Sequence, residues 1–143
     1  MNIKQALKKK NKLVGLISEE FAKAARYNSI DEGNIRPYSA TESLKKYIEL
    51  TDELIELKAQ IHRANAPVYD SIFRLAELKS QAKQLKGLDC TSGTISSRWD
   101  KESSTIKHAE ITILERDGMV KEIEVRIEIL QDQLDHHNHI TEL

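Results

Sequence analysis

Two segments of the chain carry apolar residues at heptad spacing. The first stripe consists of Tyr47, Leu50, Leu54, Leu57 and Ile61. The second stripe consists of Val120, Ile123, Ile127, Leu130 and Leu134. Apolar residues at this spacing lie along one side of an α-helix, and such a stripe is buried by packing against another helix. The sequence therefore predicts a mainly α protein, built of long amphipathic helices in a helical hairpin or a coiled-coil bundle.

The pattern predicts two long helices in the first half of the chain. We expect the first helix to extend from Ile3 to about Asn28. We expect the second to extend from about Ala40 to Asn65. The segment at about 28–41 is rich in turn formers and is predicted to be a linker.

The second helix has a wider apolar surface than one partner helix needs. Ser39 and Glu42 are spaced as a capping box at its start. A stripe next to the heptad stripe contains Leu44, Ile48 and Ile55. We therefore expect this helix to contact more than one partner helix.

A third helix is predicted after Pro67, whose ring disfavours helical geometry at the residue before it. Asp70 or Ser71 is expected to cap this helix, and Gly87 is expected to end it. The second and third helices are equally compatible with one kinked rod.

The region at about 88–117 is predicted to be a variable loop or a hairpin. Two short segments within it, Thr94–Trp99 and Ile106–Ile113, have the composition of strands. The polar stretch is compatible with an ordered hairpin and with a mobile insertion. The final helix is expected to extend from Met119 to about Asn138.

Length and composition indicate one folded domain over residues 1–143 that self-associates. Of its 143 residues, 39% are hydrophobic and 31% are charged, as is typical of folded proteins. A helix of about 25 residues is about 37 Å long. Because three or four such rods in a short chain leave apolar faces uncovered, we expect a homo-oligomer.

Charge and apolar runs limit the expected partners and location. The formal net charge of -1 provides no overall field for attracting nucleic acid or an anionic membrane. A basic cluster on the first helix contains Lys8, Lys9, Lys10 and Lys12. No aromatic residues interleave with these lysines, so no specific nucleic-acid partner is predicted. The early apolar run Leu13–Ile17 is too short to span a membrane, and the single Cys90 fits a reducing compartment, so we expect a cytoplasmic protein.

Polar residues follow both heptad stripes at positions where a buried surface would continue. Polar groups at apolar positions cost roughly 1 to 3 kcal/mol each unless they are paired. The two helix ends are therefore the candidate ligand site. The predicted ligand-binding residues are His62, Arg63, Asn65, Tyr69, His137, Asn138, His139, Thr141 and Glu142.

The same two helix ends resemble the septicolysin-like family of small bacterial proteins. Residues 61–65, Ile-His-Arg-Ala-Asn, resemble the family pattern Ile-Asn-x-x-Asn. Residues 138–143, Asn-His-Ile-Thr-Glu-Leu, resemble the pattern Asn-Trp-x-Thr-Glu-Leu. His62 replaces the first family Asn, and His139 replaces the Trp. The resemblance implies a helical, self-associating protein whose family label comes from a cytolysin. The positions that match directly are Asn65, Asn138, Thr141, Glu142 and Leu143.

Histidine spacing suggests metal ligands, although we predict no metal and no cofactor. His136 and His139 share a helix face. Together with His62 or Glu142, their side chains are of the kinds that coordinate zinc. The alternative is that two histidines face solvent and the third bonds a neighbouring carbonyl group. No phosphate-binding loop, His-Glu-x-x-His helix or nucleophile motif is present, so we expect a protein that is not an enzyme.

These features predict a homo-oligomeric helical binding protein. Its polar pocket, between helices or subunits, would bind or sequester a small anionic, nucleotide-like metabolite. Asn65, Asn138 and Thr141 would donate and accept hydrogen bonds, and Arg63 would attract negative charge. One alternative is a coiled-coil scaffold without a ligand, in which the polar residues set the register. A second alternative is a membrane-active cytolysin, as the family label suggests.

Overall fold

The computed structural model describes residues 1–96, 99 and 104–143. The helices are α1 (Ile3–Tyr27), α2 (Ala40–Ala64), α3 (Tyr69–Lys86) and α4 (Ile113–Ile140). Two short strands, β1 (Gly93–Ser96) and β2 (Ser104–Lys107), form an antiparallel pair. The predicted mainly α fold with a short β-hairpin is thereby confirmed. In the described part of the chain, no helix has an apolar stretch long enough to cross a lipid bilayer.

The chain divides into two compact units. The first contains Met1–Pro67 and Asp135–Leu143, and the second contains Val68–Leu134. The last turns of α4 therefore belong to the first unit, and the rest of α4 belongs to the second. The expectation of a single folded domain stays a prediction.

The first unit is built on a helical hairpin of α1 and α2. Phe21 contacts Tyr47, and Lys9 bonds Glu53, so the two helices run antiparallel. Its core cluster consists of Ala6, Leu13, Leu57 and Ile61, with Leu7, Leu50 and Leu54 packed against it. The predicted heptad stripe of α2 thus faces α1.

The linker is fastened to the end of α1. The Arg36 guanidinium donates hydrogen bonds to the carbonyl oxygens of Tyr27 and Asn28, at 2.7 and 3.0 Å. These carbonyl groups lie where a helix leaves acceptors without partners. Ser39 then accepts a hydrogen bond from the Glu42 backbone N–H at 3.2 Å, which starts α2 as predicted.

The second unit contains α3, the strands and most of α4. Lys79 bonds Gln131 at 3.4 Å and Lys86 pairs with Glu124 at 2.7 Å, so α3 and α4 are antiparallel. Its buried apolar side chains are Leu75, Leu78, Ala82, Val120 and Leu134.

The predicted cap of α3 is wrong. Residues Ala66–Val68 form a short 3-10 helix that leads directly into α3 at Tyr69, and no side chain caps that helix. Asp70 lies inside the first turn and pairs with Arg74 at 3.3 Å. A carboxylate is favourable there because it faces the positive end of the helix dipole. Gly87 ends α3 as predicted.

The predicted borders around the β-hairpin also differ from the structure. Strand β1 ends at Ser96 and strand β2 covers Ser104–Lys107, whereas Ile113 already belongs to α4. Part of the predicted first strand, residues 97 and 98, lies outside the described residues. Thr112 accepts from the Glu115 N–H at 3.2 Å, and its own N–H donates to the Glu115 carboxylate at 3.4 Å. This reciprocal cap starts α4 six residues before the predicted Met119, and the helix continues through Gly118.

Candidate functional site

The first and last residues of the chain pair with each other in the first unit. Asn2 and Glu142 form an isolated antiparallel bridge. The Ile3 N–H donates to the Thr141 carbonyl at 3.1 Å, and the Leu143 N–H donates to the Met1 carbonyl at 3.0 Å. We call this arrangement of residues 1–3 and 139–143 the terminal pairing.

Asn2 links this pairing to the start of α1. Its side chain accepts from the Gln5 N–H at 2.9 Å, and the Gln5 side chain accepts from the Asn2 N–H at 3.0 Å. The Asn2 amide group also donates to the His139 carbonyl at 3.0 Å. One residue therefore caps α1 and holds the end of α4 beside it. Ile3, which follows Asn2, is completely buried.

A groove lies beside this pairing, between α1 and the end of α4. Its volume is about 430 Å³. Residues at helical spacing on α1 supply one wall, because positions i, i+3, i+4 and i+7 share a face. The lining side chains are Lys4, Leu7, Lys8, Asn11, Asp135 and Asn138. Two ammonium groups, two carboxamides and one carboxylate thus surround one concave space.

The groove is lined by groups whose chemistry suits a small polar anion. Two lysines provide positive charge and several rotatable donors, and Asn11 and Asn138 provide amide donors and acceptors. Asp135 provides an acceptor that suits a hydroxyl or amino group on the same ligand. The sequence-predicted residue among these is Asn138.

Two other predicted residues carry buried polar atoms without partners among the described residues. These atoms are Oδ1 of Asn65 and Nε2 of His137. Asn65 caps the end of α2 through its backbone N–H, and His137 Nδ1 lies 3.2 Å from the Thr141 hydroxyl. A buried polar atom without a partner costs about 1 to 3 kcal/mol. Such atoms are rare in folded proteins and need a physical reason.

Five further predicted ligand-binding residues lie outside the groove lining. His62 and Arg63 are exposed on the last turn of α2, and His139 is exposed on the last turn of α4. The Glu142 carboxylate pairs with the Met1 amino group at 2.6 Å. Tyr69 belongs to the second unit, where its ring stacks on Phe73 at 5.8 Å. None of these five is a lining residue of the groove.

Four lining residues with polar side chains were not predicted as ligand-binding residues: Lys4, Lys8, Asn11 and Asp135. The sequence contains a usable signal on α1, because Lys4, Lys8 and Asn11 repeat at helical spacing. Lys8 belongs to the basic cluster of α1, for which the sequence predicts no specific nucleic-acid partner. The signal for Asp135 depends on which part of α1 the end of α4 contacts, and helix periodicity does not give that information.

The candidate zinc ligands do not form a cluster in the described part of the chain. His136 is exposed, and so is His139. Within residues 1–96, 99 and 104–143, no group of three or more histidine, cysteine, aspartate or glutamate side chains is placed to hold a metal ion.

Comparisons with known proteins gave no match to a protein-family model, a curated protein or a solved structure.

Proposed function

We propose that this protein is a self-associating helical binding protein that holds a small anionic, nucleotide-like metabolite in the groove between α1 and the end of α4. The observation that carries this proposal is the meeting of Lys4 and Lys8 with Asn11 and Asn138 around one concave space. The protein would bind its ligand without chemical turnover and would sequester or sense it in the cytoplasm.

Charge supports an anionic ligand. Helix α1 contains seven basic and two acidic residues, although the whole chain has a net charge of -1. The start of α1 has no acidic residue in its first turn. The two lysines place full positive charges at the groove, against the one carboxylate of Asp135.

Size and hydrogen-bonding groups support a small metabolite. The groove volume of about 430 Å³ lies within the usual range for small-molecule sites. A phosphate group would accept from the lysines and amides, and Asp135 would accept from a sugar hydroxyl or a base amino group. Leu7 adds an apolar contact surface.

Membership of the septicolysin-like family is a second part of this proposal. Its two motifs, at 61–65 and 138–143, are far apart in sequence but belong to the same compact unit. Asn138 of the second motif lines the groove, whereas Asn65 of the first does not.

The experiment is calorimetric titration of the full chain with pyrophosphate and with adenosine diphosphate. We expect Lys4→Ala/Lys8→Ala to weaken binding at least tenfold, because it removes two charge-assisted contacts of roughly 1.5 to 3 kcal/mol each. The matched control is Lys45→Ala/Lys46→Ala, which removes two exposed lysines from α2. This control should bind both probes within about twofold of wild type.

Asparagine variants make the test more specific. Asn138→Ala should weaken binding several-fold and leave the oligomer mass unchanged, since it removes a groove donor. Asn65→Ala should leave binding unchanged, because Asn65 lies outside the groove lining. Failure of both probes to bind at millimolar concentration, or equal losses in the two double-lysine variants, would contradict the proposed site.

A ligand-free scaffold is the second candidate. The observation that favours it is the apolar surface that α2 leaves exposed, which includes Ile48 and Ile55 at 53% and 59% exposure. In a scaffold, the polar residues at the helix ends would set the register of the assembly. Asn138→Ala would then change the oligomer mass, and neither probe would bind.

A further inference from the structure

Helix α2 carries apolar side chains on two opposite sides. Leu57 and Ile61 are buried against α1, with 4% and 8% of their surface exposed. At about 100° per residue, a second apolar stripe lies about 140 to 180° around the helix from Leu57 and about 100 to 140° from Ile61. Its members, at 43 to 59% exposure, are Leu44, Ile48 and Ile55. Helix α1 therefore covers only part of the apolar surface of α2.

Helix α1 extends this exposed apolar surface. Val14 and Phe21 are seven residues apart, so they share a side of the helix, and each is about half exposed. The Phe21 ring lies 5.2 Å from the Tyr47 ring of α2. This ring contact connects the exposed side chains of the two helices. We call the combined surface the open face; it contains Val14, Phe21, Leu44, Tyr47, Ile48 and Ile55.

The other side of the hairpin is charged. Lys9 pairs with Glu53 across the two helices at 2.6 Å. On the same side of α1, Lys23 bonds Glu20 at 3.2 Å, and this hydrogen bond raises the pKa of Lys23. Lys46 lies seven residues before Glu53 and is exposed. The hairpin therefore has one side suited to water and one side suited to a protein interface.

The extent of the open face fits an interface between two folded chains. Its side chains, about half exposed apart from the partly buried Tyr47, leave together roughly 400 Å² of apolar surface in contact with water. A standard interface buries about 800 Å² on each partner, of which somewhat more than half is apolar. The open face thus supplies close to the apolar area that one side of a standard interface needs.

The charge balance of the two helices favours one arrangement of two hairpins. Helix α1 has seven basic and two acidic residues, whereas α2 has four basic and five acidic residues. When two hairpins pack by their open faces, α1 of each copy is best placed beside α2 of the other. The neighbouring helices then have opposite charge balance, as they do in the Lys9–Glu53 pair within one chain.

We propose that the open face is covered by the open face of a second copy of this chain, forming a four-helix bundle with two-fold symmetry. Such an interface is self-complementary, because the same surface is used by both copies. The inference rests on the self-association in the proposed function and is independent of the anion groove.

The test is sedimentation velocity of the full chain over a concentration series. Ile48→Glu/Ile55→Glu places two charges within the open face. The variant loses the burial of two isoleucine side chains and has to bury two charges instead, so the dimer dissociation constant should rise by more than about a hundredfold. Since both residues are already more than half exposed in the single chain, circular dichroism should show an unchanged helix content.

The matched control is Lys46→Glu, which changes the net charge by the same amount on the charged side. Its dissociation constant should stay within about threefold of wild type. A wild-type chain that remains monomeric at about 100 µM would overturn the proposal and leave the open face to a different partner. A dimer that Ile48→Glu/Ile55→Glu leaves intact would overturn the assigned interface while self-association stands. Lys4→Ala/Lys8→Ala should have the same sedimentation coefficient as the wild-type chain. The interface proposal is therefore tested independently of the groove proposal.

Discussion

The two sides of α2 have similar side chains but different surroundings. Leu57 and Ile61 are buried against α1, whereas Ile48 and Ile55 on the opposite side are more than half exposed. Both pairs are aliphatic and lie on the same helix, so the difference comes from what covers them. Apolar periodicity therefore identifies surfaces that need a partner, but it does not say whether the partner belongs to the same chain.

The largest expected difference in stability is between truncating a residue on the buried side of α2 and truncating one on its exposed side. Leu57→Ala should lower the free energy of unfolding by about 2 to 5 kcal/mol, because it leaves a cavity in the core cluster. Ile55→Ala should lower it by less than about 1 kcal/mol when the chain is monomeric, since little buried surface is lost. Urea denaturation at low protein concentration measures both values. Equal losses would show that the two sides do not differ in the way described.

A smaller effect should separate the two ends of the α1–α2 hairpin. Asn2→Ala removes the cap of α1 and the hydrogen bond to the His139 carbonyl, so the cost should be about 1 to 2 kcal/mol. The control Ser39→Ala removes the single hydrogen bond from Glu42 at the start of α2 and should cost about 1 kcal/mol or less. Thermal denaturation followed by circular dichroism compares them. A larger loss for Ser39→Ala would contradict the assigned role of the terminal pairing.

The smallest expected effect concerns the outer surface of α1. A Cβ atom added at Gly15 would meet no atom within 4 Å in the described structure. Gly15→Ala should therefore stabilise the chain by about 0.5 to 1 kcal/mol, because alanine has the higher helix propensity. The midpoint of urea unfolding provides the measurement. A destabilised variant would indicate that another chain packs closely against this outer surface.

Helix positions were largely predictable because local rules determine them. The apolar period of α1 and α2 fixed their extents to within about one residue, and Gly87 ended α3 as expected. The predicted start of α4 at Met119 is wrong because Thr112 and Glu115 form a reciprocal cap, and the helix continues through Gly118. A glycine inside a helix costs only about 1 kcal/mol, which capping and packing can offset.

The candidate site was less predictable because it depends on which helices meet. The polar residues predicted at the ends of two helices include Asn138, which lines the groove, and Asn65 and His137, which carry the buried polar atoms without partners among the described residues. The opposite wall of the groove comes from Lys4, Lys8 and Asn11 at the other end of the chain. The backbone pairing of Asn2 with Glu142 brings α1 and the end of α4 together. Such a pairing produces no periodic pattern in the sequence.

We propose that one side of α2 is buried within the chain and the other by a second copy. The most direct test is methyl NMR of the full chain with a soluble paramagnetic agent, recorded over a concentration series. We predict that the Leu57 and Ile61 methyl groups are protected from the agent at every concentration. The Ile48 and Ile55 methyl groups should be broadened in dilute samples and become protected as the dimer forms. Broadening of Ile48 and Ile55 that persists at the highest concentration would contradict the account.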